Sequence, residues 1–299
     1  MPVRRESVRA PAKVNLRLRI VGKRADGYHL IDSLMVPISL FDHLDLVVRS
    51  SPRTLRPAVA VRTDSAELPG GAENLAHRAA AAFIAATGQD IAVEIEIRKR
   101  IPIGSGLGGG SSDAAAVLLT LNRILGFPLS VERLAEVAAG IGADIPFFVF
   151  GRPARVTGIG ERILPTALGA SLNLVVCSDG YLLSTRLVYA RLRPVGASLT
   201  SNSAVSNIDD FVEGRKPLSD LLVNDLEEAA AEIHPEVLSL KARVMEQGAQ
   251  GALMSGSGSA VFGVCADPQS AAAATTGLRR HGLWAEAVQT LELSPALGT

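Results

Sequence analysis

The stretch Pro102-Ile103-Gly104-Ser105-Gly106-Leu107-Gly108-Gly109-Gly110-Ser111-Ser112-Asp113 decides how the rest of the chain is read. Five glycines fall within seven residues. Before them Val93-Glu94-Ile95-Glu96-Ile97 alternates like a strand with one buried face, and after them Ser112 to Leu125 reads as a helix stopped by Gly126 and Pro128. Backbone without side chains lets a phosphate come close, and the free N–H groups of a helix start point at the anion. Ser111 and Ser112 add hydroxyls, as donors to phosphate or as an oxygen for a bound Mg²⁺.

Two familiar phosphate loops do not fit. Gly104 and Gly109 have Walker A spacing, but Gly110 stands where that loop needs a lysine. Gly104, Gly106 and Gly109 satisfy the dinucleotide pattern G-x-G-x-x-G. The preceding strand is buried on one face rather than two, and the acid expected some twenty residues on would be Glu132, inside a helix.

Working towards the N-terminus, Asn74 is placed to cap an alanine-rich helix ending at Gly88, and a strand is expected near Leu44–Val48. Val14, Leu16, Leu18 and Ile20 alternate with polar residues, which puts Lys13 and Asn15 on the face opposite the core. Asp26-Gly27 marks a tight turn, after which Tyr28 and His29 open a return segment towards Ile38. Working towards the C-terminus, a helix is expected from a Ser130 cap to about Ile141. Asp144 stands among apolar residues ahead of Pro146, Phe147 and Phe148, where it would either cap a short helix or serve as a poised carboxylate. The second half reads as a strand at 172–176, helices near 203–212, 224–233 and 235–247, strands 252–255 and 260–265, a helix 268–281 and a strand 284–290. That closing run has the pattern of a split α-β-β-α-β sandwich. A division near residue 165 separates the halves.

Lys+Arg and Asp+Glu both number 30, so the formal charge is zero, against the basic surplus of a general nucleic-acid binder. No apolar run approaches a membrane span, and no signal core follows Arg4, Arg5 and Arg9. Cys177 and Cys265 lie far apart and read as buried thiols of a reducing compartment. The expectation is a soluble, cytoplasmic protein that binds neither nucleic acid nor membrane. Taken singly, Lys13 is an ordinary surface lysine, Ser255-Gly256-Ser257-Gly258-Ser259 a hairpin connection, and Asn224-Asp225-Leu226-Glu227 a helix cap. Were Lys13 and Asp144 to meet, the lysine would keep the carboxylate charged as a base.

Together these blocks resemble the GHMP kinase superfamily over almost the whole chain. Pro11-Ala12-Lys13-Val14-Asn15-Leu16 is similar to its opening motif, Pro102 to Ala114 to its ATP loop, Gly142 to Phe148 to its aspartate block, and Ser255–Ser259 with Phe262 to its third motif. Asp26-Gly27-Tyr28-His29 with Ser33 narrows the likeness to the members that act on a cytidine diphosphate-linked methylerythritol. The resemblance implies an α+β, two-domain fold: a ribosomal-protein-S5-like ATP-binding domain over residues 1–165, and a ferredoxin-like split α-β-β-α-β sandwich over 166–299. It implies ATP with Mg²⁺ as co-substrate and no tightly bound cofactor. Carried over, Asp144 is the general base and Lys13 its electrostatic partner. Residues 102–112 hold ATP, and Asn74 helps hold the adenine. Asn15, Tyr28, His29, Tyr189, Gly256 and Ser257 contact the acceptor, with His29 on the cytosine edge and Tyr28 and Tyr189 on its faces. Ser111 or Ser112 touches the metal. The competing expectations are a homoserine- or mevalonate-type kinase of the same superfamily, a non-catalytic RNA-binding module and a dinucleotide oxidoreductase.

Overall fold

The structure, a computed structural model, describes residues 3–50, 59–192 and 203–297. The alternation read over residues 14–20 is the middle of a longer strand, β1 (Arg4–Lys23), antiparallel to β2 (His29–Ser50). The expected turn joins them: Gly27 has φ 91°, and the Arg24 N–H donates to the Tyr28 carbonyl at 2.7 Å. The ladder slips between Pro11 and Ala12, again between Asn15 and Arg17, and again between Ile20 and Gly22. Pro11 has no N–H for a ladder, and such irregularities bend and twist a strand pair. Val8 and Ala10, with Leu44, Leu46 and Val48, therefore pack against helices. Beyond the first slip, Ala12, Val14 and Leu16, with Leu34, Val36 and Ile38, pack against the second half of the chain.

Around this pair the first sheet runs β3 (Val59–Thr63), β4 (Ile91–Arg98), β2, β1, β8 (Val223–Asn224). A branch of β5 (Ala154–Gly158) and β6 (Arg162–Pro165) pairs with β2. Four helices accompany it. Asn74 caps α1 (Leu75–Thr87) by accepting the Ala76 N–H at 2.9 Å, and Gly88 closes it at φ 67°. The longest, α2 (Gly109–Ile124), is buried on almost every face from Ser112 to Asn122. It starts three residues earlier than the sequence suggested. Ser130 caps α3 (Val131–Ala139) as expected, and α4 (Ile145–Phe150) follows Asp144.

The second sheet has the order β11 (Trp284–Gln289), β7 (Asn173–Ser178), β10 (Val261–Cys265), β9 (Gly251–Met254), all antiparallel. With α8 (Glu236–Glu246) and α9 (Pro268–Arg280) this is the expected split sandwich, β7 supplying its first strand. Helices cover one face. The other, with Leu174, Val176, Leu253, Phe262 and Val264, meets β1 and β2 in a shared apolar layer. α5 (Thr185–Arg191), α6 (Ser203–Val212) and α7 (Glu227–Ile233) are the remaining α-helices among the described residues.

Two expectations need correction. The helix expected from Asn224 begins at Glu227, because Asn224 lies in β8 and pairs with Leu18 of β1. Lys13 is not a surface lysine: it is 3% exposed, because the polar face of β1 is roofed rather than solvated. The short strands β3, β5 and β6 and helix α5 went unread, since each carries too few apolar residues for a period to show. Both cysteines are buried and free; burial pushes the Cys177 thiol up to about 12 and raises that of Cys265. Among the described residues no helix is long and apolar enough to cross a membrane.

Candidate active site

The two glycine loops, far apart in sequence, lie against each other. Ser255 Oγ donates to the Gly106 carbonyl at 3.1 Å, and the Ala260 N–H to the Ser105 carbonyl at 3.0 Å. A Cβ at Gly106 would fall 2.1 Å from the Ser255 carbonyl oxygen, so only glycine permits the approach. Gly108, at φ 75°, is the N-cap of α2 and makes no side-chain cap bond, which leaves the opening amides of a long buried helix for an anion.

β1 delivers two side chains beneath the loops. The buried Lys13 Nζ donates to Asn15 Oδ1 at 2.6 Å, Asn15 Nδ2 to Ser33 Oγ at 2.8 Å, and Ser33 Oγ to the Arg17 carbonyl at 2.6 Å. This chain fixes both rotamers. A Cβ at Gly256 would lie 2.9 Å from Lys13 Nζ, so the second loop closes over the ammonium. Burial pushes the Lys13 pKa down and the charge of Asp144 pushes it back up. The two meet through space, without an ion pair. Asp144 is half-buried at the start of α4 and makes no side-chain cap bond, so its carboxylate stays available to a ligand.

A cavity of about 510 Å³ joins these groups, well within the range of small-molecule sites. Its wall includes Lys13, Asn15, Asn74, Asp144, Tyr189, Gly256, Ser257 and, from the first loop, residues 102–106 and 108–111. Tyr189 also meets the His29 ring, centroid to centroid 5.4 Å. Burial, then Asp144, raises the Tyr189 phenol to about 12, and burial with Lys23 lowers the His29 pKa, so both are neutral at neutral pH.

Not every expected residue reaches the wall. Leu107 is fully buried under the loop in the shared apolar layer. Ser112 is buried as well, its Oγ without a partner, whereas Ser111 faces the cavity. Tyr28 is 61% exposed, and neither it nor its neighbour His29 walls any part of the cavity; His29 reaches the site only through its contact with Tyr189. Asn74 does line it, but its side chain already accepts from Ala76 and donates to the Pro69 carbonyl at 2.9 Å.

Sequence reasoning missed a buried charge cluster behind the first loop. Lys99 Nζ bonds Asp42, and lies 2.8 Å from Asp113 Oδ2. The other Asp42 oxygen accepts the N–H groups of Arg100 and Ile101 at 2.6 and 2.9 Å. The cluster thus ties the entry of the loop to the second turn of α2. Lys99 and Asp113 reach the cavity wall. The one sequence cue was a lysine immediately ahead of a phosphate loop; nothing pointed to Asp42, which arrives through the β2–β4 pairing.

A mixed, mostly antiparallel first sheet, a split sandwich and two interlocked glycine loops over a buried lysine and a free aspartate define a small-molecule kinase, and the chain belongs to the GHMP kinase family. The model of the GHMP kinases N terminal domain matches residues 74–152, and that of the GHMP kinases C terminal matches 204–282. Its curated relatives include the 4-diphosphocytidyl-2-C-methyl-D-erythritol kinase of Geobacter sp. (strain M21), 40% identical over 94% of this chain and 98% of the relative. The kinase of that name from Symbiobacterium thermophilum is 41% identical over 87% of this chain and 90% of its own. A solved 4-(cytidine 5'-diphospho)-2C-methyl-D-erythritol kinase superposes with TM-score 0.80 at 39% identity, over 95% of this chain and 99% of that one. A homoserine kinase from Cytophaga hutchinsonii superposes with TM-score 0.75 at 19% identity, covering 97% and 95% of the two chains, a likeness of fold alone.

Proposed function

We propose that this kinase transfers the γ-phosphoryl group of ATP to the 2-hydroxyl of 4-diphosphocytidyl-2-C-methyl-D-erythritol, giving the 2-phosphate and ADP, in the non-mevalonate route to isoprenoid precursors. The observation that carries the reading is the convergence on one cavity of both glycine loops, Lys13, Asp144 and the ring of Tyr189 with His29 behind it. The relatives at 40% identity along nearly their whole length support the choice of acceptor.

ATP lies with its phosphates on the amides of the 102–112 loop and the N-terminus of α2, and it brings Mg²⁺ with it. Among the described residues no group of three or more His, Cys, Asp or Glu is gathered for a metal. The Ser111 hydroxyl on the cavity wall is the side chain suited to reach an ATP-borne ion. Asp144, free of cap bonds, accepts the proton of the acceptor hydroxyl as the new P–O bond forms. Lys13, held by Asn15, stabilises the charge spreading over the phosphoryl oxygens. The neutral His29 meets the cytosine edge, while Tyr189 and the exposed Tyr28 supply aromatic faces to the base. The boundary between the ATP-binding half, 1–165, and the second half, 166–299, falls in the connection from β6 to β7. The site needs no nucleic acid or membrane, and the protein works in the cytoplasm.

The test is ATP consumption with Mg²⁺ and four acceptors: the cytidylated substrate, free methylerythritol phosphate, mevalonate and homoserine. Activity confined to the first is expected. Use of another acceptor would overturn the substrate reading and leave the chemistry standing, and silence with all four would overturn both.

A further inference from the structure

We infer that Asn224 is a positioning residue for phosphoryl transfer, holding the 255–259 loop in place against Lys13 and the first glycine loop. The inference rests on the reading of the site given above. Asn224 is 8% exposed and ends β8, the two-residue strand that joins the first sheet by pairing with Arg17 and Leu18. Its neighbour Asp225 fastens that seam: the Asp225 N–H donates to the Leu18 carbonyl at 2.9 Å, and its carboxylate accepts the Ile20 N–H at 2.8 Å. Asn224 is therefore rigidly attached to the strand that carries Lys13 and Asn15.

From there its amide crosses to the second sheet. Nδ2 donates to the carbonyls of Met254 and Gly256, at 2.8 and 2.7 Å, and Oδ1 accepts the Leu226 N–H at 3.0 Å. Both donors are spent on the one segment whose placement the site requires. Gly256 is the residue whose missing side chain makes room for Lys13 Nζ and the Gly106 carbonyl. The geometry needs two N–H donors and one acceptor in a single planar group, which among side chains of this length only Asn provides. A carboxylate of the same shape would oppose its charge to two buried carbonyls and leave them unpaired. A helix cap alone would use only Oδ1.

The experiment compares Asn224→Asp with Asp225→Asn in the full-length protein. The second variant removes the charge at the seam, and with it the ion pair to Arg19, but keeps a side-chain acceptor for the Ile20 N–H and the main-chain bond to the Leu18 carbonyl, so Asn224 stays attached to β1. For Asn224→Asp, kcat should fall on the order of 10²-fold, as for a reacting group displaced by about 1 Å. The KM values for ATP and for the cytidylated acceptor should change far less, and amide hydrogen exchange over 254–259 should quicken. Asp225→Asn should lower the melting temperature while keeping wild-type kcat and wild-type exchange in the loop. If Asn224→Asp fails to fold, Asn224→Ser, which keeps one donor and adds no charge, is measured in the same way. A wild-type kcat in the Asn224 variant, unchanged loop exchange, or an equal loss of kcat in Asp225→Asn would each overturn the inference. An inactive wild-type protein would instead overturn the functional reading, and the exchange measurement would still judge the hold on the loop.

Discussion

Replacing Gly106 with alanine tests the interlock of the two loops. The new Cβ would stand 2.1 Å from the Ser255 carbonyl oxygen and 3.0 Å from the Gly258 nitrogen, where ordinary contact begins at 3.4 Å. The loops must part by more than 1 Å, and neither obstacle is a flexible side chain. Gly106 also sits at φ 78°, which costs an L-residue about 1–2 kcal/mol. Forcing extra atoms into a packed place adds about 1–3 kcal/mol, for roughly 2–5 kcal/mol in all. The displacement is of the size that costs about 10²-fold in rate when it moves groups holding a reactant. For the melts alone Gly110→Ala is the matched control, because its Cβ would meet only Leu75 Cδ1 at 3.5 Å among protein atoms, at a helical position. There alanine should stabilise by roughly 0.5–1 kcal/mol. Thermal melts on both variants, with steady-state phosphoryl transfer on Gly106→Ala and the wild type, settle the matter. Equal melting temperatures, with a wild-type kcat in Gly106→Ala, would refute the claim that the loops fix each other.

Other outcomes follow from the same geometry. Asp144→Asn should lower kcat by about 10²–10⁴-fold, the span of general-base catalysis. ATP affinity by calorimetry should hold, and a near-normal rate would remove the base assignment. Tyr189→Ala should raise KM for the cytidylated acceptor and spare ATP binding; the reverse pattern would move Tyr189 to the nucleotide side. Burial raises the pKa of Asp113 from its ordinary 3.8 to about 7, with Lys99 opposing and Asp42 adding to the shift. A carboxyl that holds its proton more tightly when folded contributes stability that is full below its unfolded pKa and is lost as the pH rises through the folded one. Asp113→Asn should therefore melt progressively higher than wild type as the pH climbs from 4 to 7; a constant difference across that window would contradict the shift.

Much of the site was legible because its chemistry is local. Glycine spacing announced the first loop, and Asn74 and Ser130 announced their helices through their own cap bonds. The split sandwich showed itself because its strands and helices alternate in sequence with full periods. Lys13 looked like a surface lysine since the sequence says which face of β1 it takes and not what covers that face. The cover is the 255–259 loop, delivered by β9 and β10 from the other half. Asp42 and Lys99 meet only because β2 pairs with β4, and Asn224 holds its loop only because β8 joins β1.

The sequence by itself determined the parts: a phosphate loop between strand and helix, an unusual aspartate, a second glycine loop and a family likeness along the chain. Those depend on backbone freedom, caps and periodicity, which act over a few residues. Only the tertiary structure decided that the loops interlock, that Lys13 is buried beneath them and that Asn224 fastens one half to the other. These contacts join residues far apart in the chain, and they are fixed by sheet register and by the apolar layer between the two sheets.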